Sequence, residues 1–403
     1  MDRNFLHAYA HCARQVRLLE PVVNAWETID LGRIAYELER VWQAGLPGRM
    51  AGTLVGVKDV FDTADMPTRY GSPIFARHQP GQDAWVVRRM REAGLVIAGK
   101  TVTTEFAYLH PGKTANPADP TRSPGGSSSG SAAAVAADMV PLAIGTQTAG
   151  STLRPAAYCG VYGYKPTYGI VPMDGCRPLA PSLDTVGLFA RELDDLEALA
   201  QLLSQGSILT GVTKASPPRI CVVPPEIGPS DAAVRAAFAT LLSRLRSTGV
   251  PLELASGFPL QECVRLHRCI MAYEAAAGFR DLVEAHPTLI SPEFQTLMHE
   301  GRACAHDDYA AARNRVDALR HWMDRAFDRF DLLLLPSAAE EAPLRTTGTG
   351  NPDWCRPASL LGLPAMNVPI GRSRAGLPLG VQIVARAHHD VQLLAAARWL
   401  VGI

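Results

Sequence analysis

What this 403-residue chain lacks narrows its role before any motif is read. Lys+Arg and Asp+Glu stand at 39 each, so no excess of either sign draws it toward nucleic acid or an anionic membrane, and neither is expected as a partner. No apolar run reaches the roughly 18 residues that a membrane helix needs, because Asp138 interrupts the best candidate. The opening MDRNFLHAYAHCARQVRLLE is amphipathic and charged rather than a signal peptide, which leads to the expectation of a cytoplasmic protein with reduced cysteines. No H-E-x-x-H and no paired C-x-x-C occurs. The eleven histidines are scattered, and His388-His389 beside Asp390 has no second cluster in metal-ligand spacing, so neither metal nor cofactor is expected. The eight cysteines read as ordinary thiols; Cys159, eight residues past Ser151, is the one alternative nucleophile, and nothing in the sequence activates it.

What the chain does have is core material, with 47% hydrophobic residues, enough for one large domain or two ordinary ones. Apolar runs of strand length (TLVGV, LVIAG, VPLAIG, RICVV, DLLLLP, GVQIVA) alternate with helix-period segments at 83–93, 128–138, 192–204, 231–247, 306–329 and 388–401. That alternation predicts an α/β sheet covered by helices on both faces. The stretch 205–330 reads as mostly helical after RICVVP, no internal repeat is visible, and SQGSILTGVTKASPP (204–218) is the best candidate for a flexible connection. A literal nucleotide-binding pattern, Gly94 to Thr101, satisfies G-x-x-x-x-G-K-[ST] but sits in the wrong context: helical spacing precedes Gly94 and LVIA between the glycines reads as a strand. Gly94 is better explained as a helix C-terminal cap.

Three residues carry the chemistry. Ser127 lies in SPGGSSSGSAAAVAADMV, Ser151 in GTQTAGSTLRPAA and Lys58 in LVGVKD, a set that suggests a relay serine, a nucleophilic serine and a lysine base. A hydroxyl is a weak nucleophile until a base accepts its proton, and lysine can be that base only where its surroundings keep it neutral. A Gly/Ser run alone would read as a linker. Here AAAVAADMV is a strong helix former and PLAIGT a strand, so the cluster enters a buried helix, whose free N–H groups also make anion binding the second role for these serines.

AGTLVGVKDVFDTADMPTRYGSPIF (51–75), SPGGSSSGSAAAVAADMVPLAIGTQTAGSTLRPAAYCGVYGYKPTYGIVP (123–172) and SLDTVGLFA (182–190) resemble the core of the amidase signature family, nearest to its short malonamidase-like branch, and 332–385 resemble its closing strands. The spacings agree as well, with 69 residues from Lys58 to Ser127 and 24 from Ser127 to Ser151. The resemblance implies a single α/β/α domain over 1–403 with a large mixed sheet, a catalytic core at 51–190 and a pocket-covering region at 205–330. It implies that Ser151 attacks an amide, that Ser127 follows a cis bond at Gly126 and relays the proton, and that Lys58 receives it. Ser128 and Thr146 would hydrogen-bond the lysine and relay serine, and the N–H groups of Thr148, Ala149, Gly150 and Ser151 would form the oxyanion hole. Most members have glycine where this chain has Ala149, which would be strained if that residue needs a positive φ. Arg154, three residues after Ser151 as in the malonamidase-like branch, would take a substrate carboxylate; the alternative is a structural arginine paired with a buried acid such as Asp184. The expected activity is hydrolysis of a small carboxylate-bearing amide, malonamate-like or a carboxylated urea derivative. A glutaminase-type subunit feeding ammonia to an amidotransferase partner is the alternative, and a homodimer is common among relatives.

Overall fold

The computed structural model describes residues 3–46, 48–208 and 217–403. Among the described residues eleven strands form one mixed sheet: β1 (Trp26–Ile29), β2 (Leu54–Lys58), β3 (Val96–Thr101), β4 (Leu142–Gln147), β5 (Tyr162–Lys165), β6 (Thr185–Ala190), β7 (Ile220–Val222), β8 (Leu252–Leu254), β9 (Leu332–Pro336), β10 (Ala365–Arg372) and β11 (Pro378–Val384). Their spatial order is β1-β3-β2-β4-β6-β5-β10-β11-β9-β7-β8. The helices are α1 (Arg3–Val23), α2 (Leu31–Ala44), α3 (Trp85–Glu92), α4 (Ser129–Ala136), α5 (Leu153–Cys159), α6 (Leu193–Leu203), α7 (Ala232–Ser247), α8 (Leu260–Ala285), α9 (Pro292–Ala303), α10 (His306–Ala326), α11 (Arg356–Leu360) and α12 (Asp390–Val401).

The central strands are buried on both faces, as their near-continuous apolar runs require. In β4, Leu142 and Ile144 join one core cluster while Ala143 joins the other; β2 divides Val55 and Val57 from Leu54 in the same way. Among the described residues no helix is long and apolar enough to cross a membrane. The expected connection at 204–218 has its centre, 209–216, outside the described residues.

Two features of the fold place the site. β2 runs parallel to both β3 and β4, with Val57 opposite Ile144, so Lys58 at the end of β2 arrives beside the last residues of β4. The carboxyl ends of parallel strands are where open α/β sheets leave room for ligands. The second feature is α4, whose residues Ser129 to Val135 are all buried. Its small side chains let it lie against the sheet, and a Cβ on Gly130 would stand 2.2 Å from the Ala25 carbonyl oxygen and 2.3 Å from the Val102 nitrogen. The Gly94 to Thr101 pattern is a helix cap followed by a strand: Gly94 has φ +81° after α3, and β3 begins at Val96.

Candidate active site

Lys58 is fully buried, and its Nζ lies 2.7 Å from both Ser127 Oγ and Thr146 Oγ1. Among the described residues no carboxylate pairs with it. The acid next to it in sequence, Asp59, turns away to Lys100, 3.0 Å distant, and accepts the Arg69 N–H at 3.0 Å. Burial therefore acts on Lys58 with little opposition, and it pushes the ammonium pKa down to about 7 against a weak upward pull from Cys176 and Asp184. An amine with that pKa is substantially neutral at neutral pH, which a lysine base requires.

Ser127 follows a cis peptide bond from Gly126, and its carbonyl accepts the Thr104 N–H at 3.2 Å. Ser128 departs from the expectation that it bonds the lysine or the relay serine. Its hydroxyl sits between the main-chain groups of Thr146, donating to the carbonyl at 3.2 Å and accepting from the N–H at 3.3 Å. Ser128 stands at the entrance to α4 and bonds across to β4, so its side chain reaches the neighbouring strand before it can reach Lys58. Gly145 makes room for this, since a Cβ there would be 2.5 Å from Ser128 Oγ.

The segment from Thr148 to Ser151 joins β4 to α5, and the carbonyls of its first three residues are all tied. Thr148 O accepts from His267 Nε2 at 2.8 Å, Ala149 O from Ser359 Oγ at 2.8 Å and Gly150 O from the Arg154 N–H at 3.0 Å. A planar trans peptide points its N–H opposite its carbonyl, so tying these oxygens aims the N–H groups of Ala149, Gly150 and Ser151 the other way. None of the four N–H groups from Thr148 to Ser151 has an acceptor among the described residues. Gln147 anchors the far end by accepting the Thr152 and Leu153 N–H groups at 3.0 and 3.1 Å. Ala149 does not have a positive φ, so alanine costs no backbone strain there. Gly150 sits in tight space, since a Cβ there would stand 3.1 Å from both the Pro352 and Cys355 Cβ atoms.

The Ser151 hydroxyl, in a residue 6% exposed, has no hydrogen bond to another described residue, Ser127 included. Cys159 is buried beside the Pro124 carbonyl, and burial drives its thiol pKa well up, which removes it as a nucleophile.

Arg154 is corrected on one reading and constrained on the other. Asp184 is not its partner: that carboxylate accepts from Thr148 Oγ1 and from the N–H groups of Leu179 and Ala180, and desolvation raises its pKa to about 6. The buried Arg154 guanidinium instead donates to the Gly126 carbonyl at 2.7 Å, to Thr349 Oγ1 at 3.3 Å and to the Gly350 carbonyl. It thus clasps the loop that carries Ser127.

His267, Arg356 and Ser359 are not legible as site residues in the sequence. His267 comes from α8, where one histidine among Leu266, Ile270 and Met271 looks like core filler. Its Nδ1 accepts from Arg356 Nη1 at 2.6 Å, and Arg356 is in turn held by Asp353 at 2.9 Å. Burial and that cation keep the imidazole neutral, its pKa well below the usual value, so its remaining proton sits on Nε2 facing the Thr148 carbonyl. A cavity of about 590 Å³ opens against Ser123–Gly125, Ser129 and Thr349, and neither Ser151 nor Lys58 lines it.

A buried neutral-capable amine, two serines and a row of aimed amides beside a mixed α/β sheet are parts that a hydrolase of acyl compounds can use. The amidase family profile matches residues 10–394, and the chain belongs to that family. It is 31% identical to a glutamyl-tRNA(Gln) amidotransferase subunit of Thermus thermophilus, over 95% of this chain and 90% of that one. It is 33% identical to the Mycobacterium bovis protein named putative amidase AmiD, over 87% of this chain and 79% of that one. A solved structure titled as an amidase superimposes with a TM-score of 0.89 at 31% identity, covering 99% of this chain and 96% of that one. The protein is accordingly a carbon-nitrogen hydrolase acting on amides.

Proposed function

We propose that the chain hydrolyses a small amide through an acyl-enzyme on Ser151, with Ser127 as proton relay and Lys58 as base. The observation that carries this reading is the Lys58–Ser127 contact of 2.7 Å around an amine that burial holds near neutrality. Ser151 Oγ attacks the amide carbon while its proton moves to Ser127 Oγ and the Ser127 proton moves to Lys58 Nζ. Negative charge gathers on the former carbonyl oxygen, against the N–H groups of Ala149, Gly150 and Ser151. The C–N bond then breaks as the same chain of groups returns a proton to nitrogen, and ammonia leaves. Water repeats the sequence on the ester, releasing the acid and restoring Ser151. The Ser127–Ser151 bond is one that forms when substrate draws the two hydroxyls together, since catalytic hydrogen bonds tighten in the complex. Thr146 holds the lysine and Ser128 holds Thr146.

The substrate we favour is a small amide that also bears a carboxylate. Ammonia release should be measured on a panel of acidic and neutral amides. Ser151→Ala should lose at least about a thousandfold in turnover, and a Ser151→Ala protein that keeps wild-type rates defeats the proposal. The second reading is an ammonia-donating subunit, favoured by relatives such as the Thermus thermophilus amidotransferase component. Its signature is glutamine turnover that is absent from the isolated chain and present only with a partner.

A further inference from the structure

Arg177 is a half-buried guanidinium on which burial outweighs the pull of the nearby Asp62. Among the described residues it has no ion-pair partner and its side chain donates no hydrogen bond, and its Nε is sealed from solvent with nothing to bond. Four aromatic rings surround it instead, with centroids at 4.7 Å (Phe75), 5.2 Å (Phe279), 5.4 Å (Tyr70) and 5.9 Å (Phe106) from its central carbon. The nearby carboxylate, Asp62, accepts the Tyr70 hydroxyl at 2.6 Å. Ring faces attract a cation, but they accept no N–H in the way an oxygen does. A buried donor left unmatched in the free protein calls for an explanation, and an incoming anion supplies one.

The cage stands beside the catalytic pair. Arg177 N–H donates to the Val60 carbonyl at 3.2 Å and Asp62 N–H to Gly175 O at 2.8 Å, so residues 175–177 run alongside the chain that leaves Lys58. Thr104 bonds the Ser127 carbonyl, and Phe106, two residues on, donates its N–H to Tyr70 O at 2.8 Å and contributes a cage ring. Tyr70, Phe106 and Ala107 all hold left-handed backbone, with φ of 54°, 46° and 61°. Bulky residues adopt that region only where surrounding structure imposes it, and such residues gather at functional sites. Arg154 is already engaged with the carbonyls of Gly126 and Gly350 and with Thr349 Oγ1, although its Nε, like that of Arg177, has no partner among the described residues.

We propose that Arg177, and not Arg154, receives the carboxylate of the substrate, with Phe75, Phe106 and Phe279 packing against the short aliphatic link between carboxylate and amide. This rests on the amide-hydrolase reading of Ser151 and assigns its acyl-side specificity. A planar guanidinium takes a carboxylate through two N–H groups.

The test is calorimetric titration of succinamate and of butyramide into Ser151→Ala protein, alone and combined with Arg177→Met or Arg177→Lys. Ser151→Ala should bind succinamate in preference to butyramide. Arg177→Met should cut the ratio of the two affinities by about 100-fold, and Arg177→Lys, which keeps charge but not the fork, by about 10-fold. If the methionine variant does not fold, as judged by circular dichroism, the lysine variant carries the test. An unchanged ratio, an equal loss for both ligands, failure of folded Ser151→Ala to bind succinamate at millimolar concentration, or a collapse of the ratio in Arg154→Met alone each overturns the assignment. The amide-hydrolase reading stands or falls separately, on whether Ser151→Ala abolishes ammonia release.

Discussion

His267 shows how one side chain can govern a main-chain site it never enters. With Arg356 donating to Nδ1, the single proton of the neutral ring is fixed on Nε2 and holds the Thr148 carbonyl, which in turn aims the Ala149 N–H. His267→Ala should lower kcat by about 10- to 100-fold with little change in KM, because an oxyanion donor acts in the transition state more than in the bound substrate. His267→Gln, which can present an N–H at a similar distance, should recover part of the loss. A rise in KM alone, with kcat intact, would assign His267 to packing. At this scale the sequence is informative where chemistry demands residue types in order, as with Lys58 and Ser127, which the fold brings into contact ahead of Ser151. It is silent about His267 and Ser359, because their partners are carbonyl oxygens, and any residue has one. Arg154 misleads in one respect: its guanidinium bonds the carbonyls of Gly126 and Gly350 and Thr349 Oγ1, not the Asp184 offered as its structural partner.

At the scale of elements, the site depends on how closely α4 can approach the sheet. Gly130→Ala would force a methyl into the Ala25 carbonyl and the Val102 amide, and the helix would have to lift away. The variant should lose about 3 kcal/mol or more of stability, read from the denaturant midpoint, and activity should fall with it because Ser127 and Ser128 lead into that helix. A variant with an unchanged midpoint would mean that α4 is not seated as described. The expected strands at TLVGV, LVIAG, VPLAIG, RICVV, DLLLLP and GVQIVA all occur, within about two residues of their anticipated ends, because each is an apolar run bounded by turn residues. Strands β5 and β6, YGYK and TVGLFA, do not stand out in that way; glycine interrupts both, which hides the pattern although they lie at the centre of the sheet. The short helix α5 is hidden similarly, since Arg154 and Pro155 at its start disguise a segment that the Gln147 side chain caps.

For the whole molecule, the sheet joins what the sequence holds apart. β2 and β4 are neighbours in space although the lysine and its Thr146 contact are 88 residues apart, and α8 adds His267 from 119 residues beyond Thr148. The buried lysine, the serine it touches and the aimed amides make one prediction that no single element could. Labelling of Ser151 by a small fluorophosphonate, followed by mass spectrometry across pH, tests it most directly. Because the folded-state pKa of Lys58 is depressed to about 7, the neutral base accumulates as pH rises, so the labelling rate should climb through an apparent pKa near 7 and level off above it. In Lys58→Ala the rate should drop by at least about a hundredfold and that inflection should vanish. Label on any other residue, or a Lys58→Ala protein whose Ser151 reacts as fast and with the same inflection, would contradict the account.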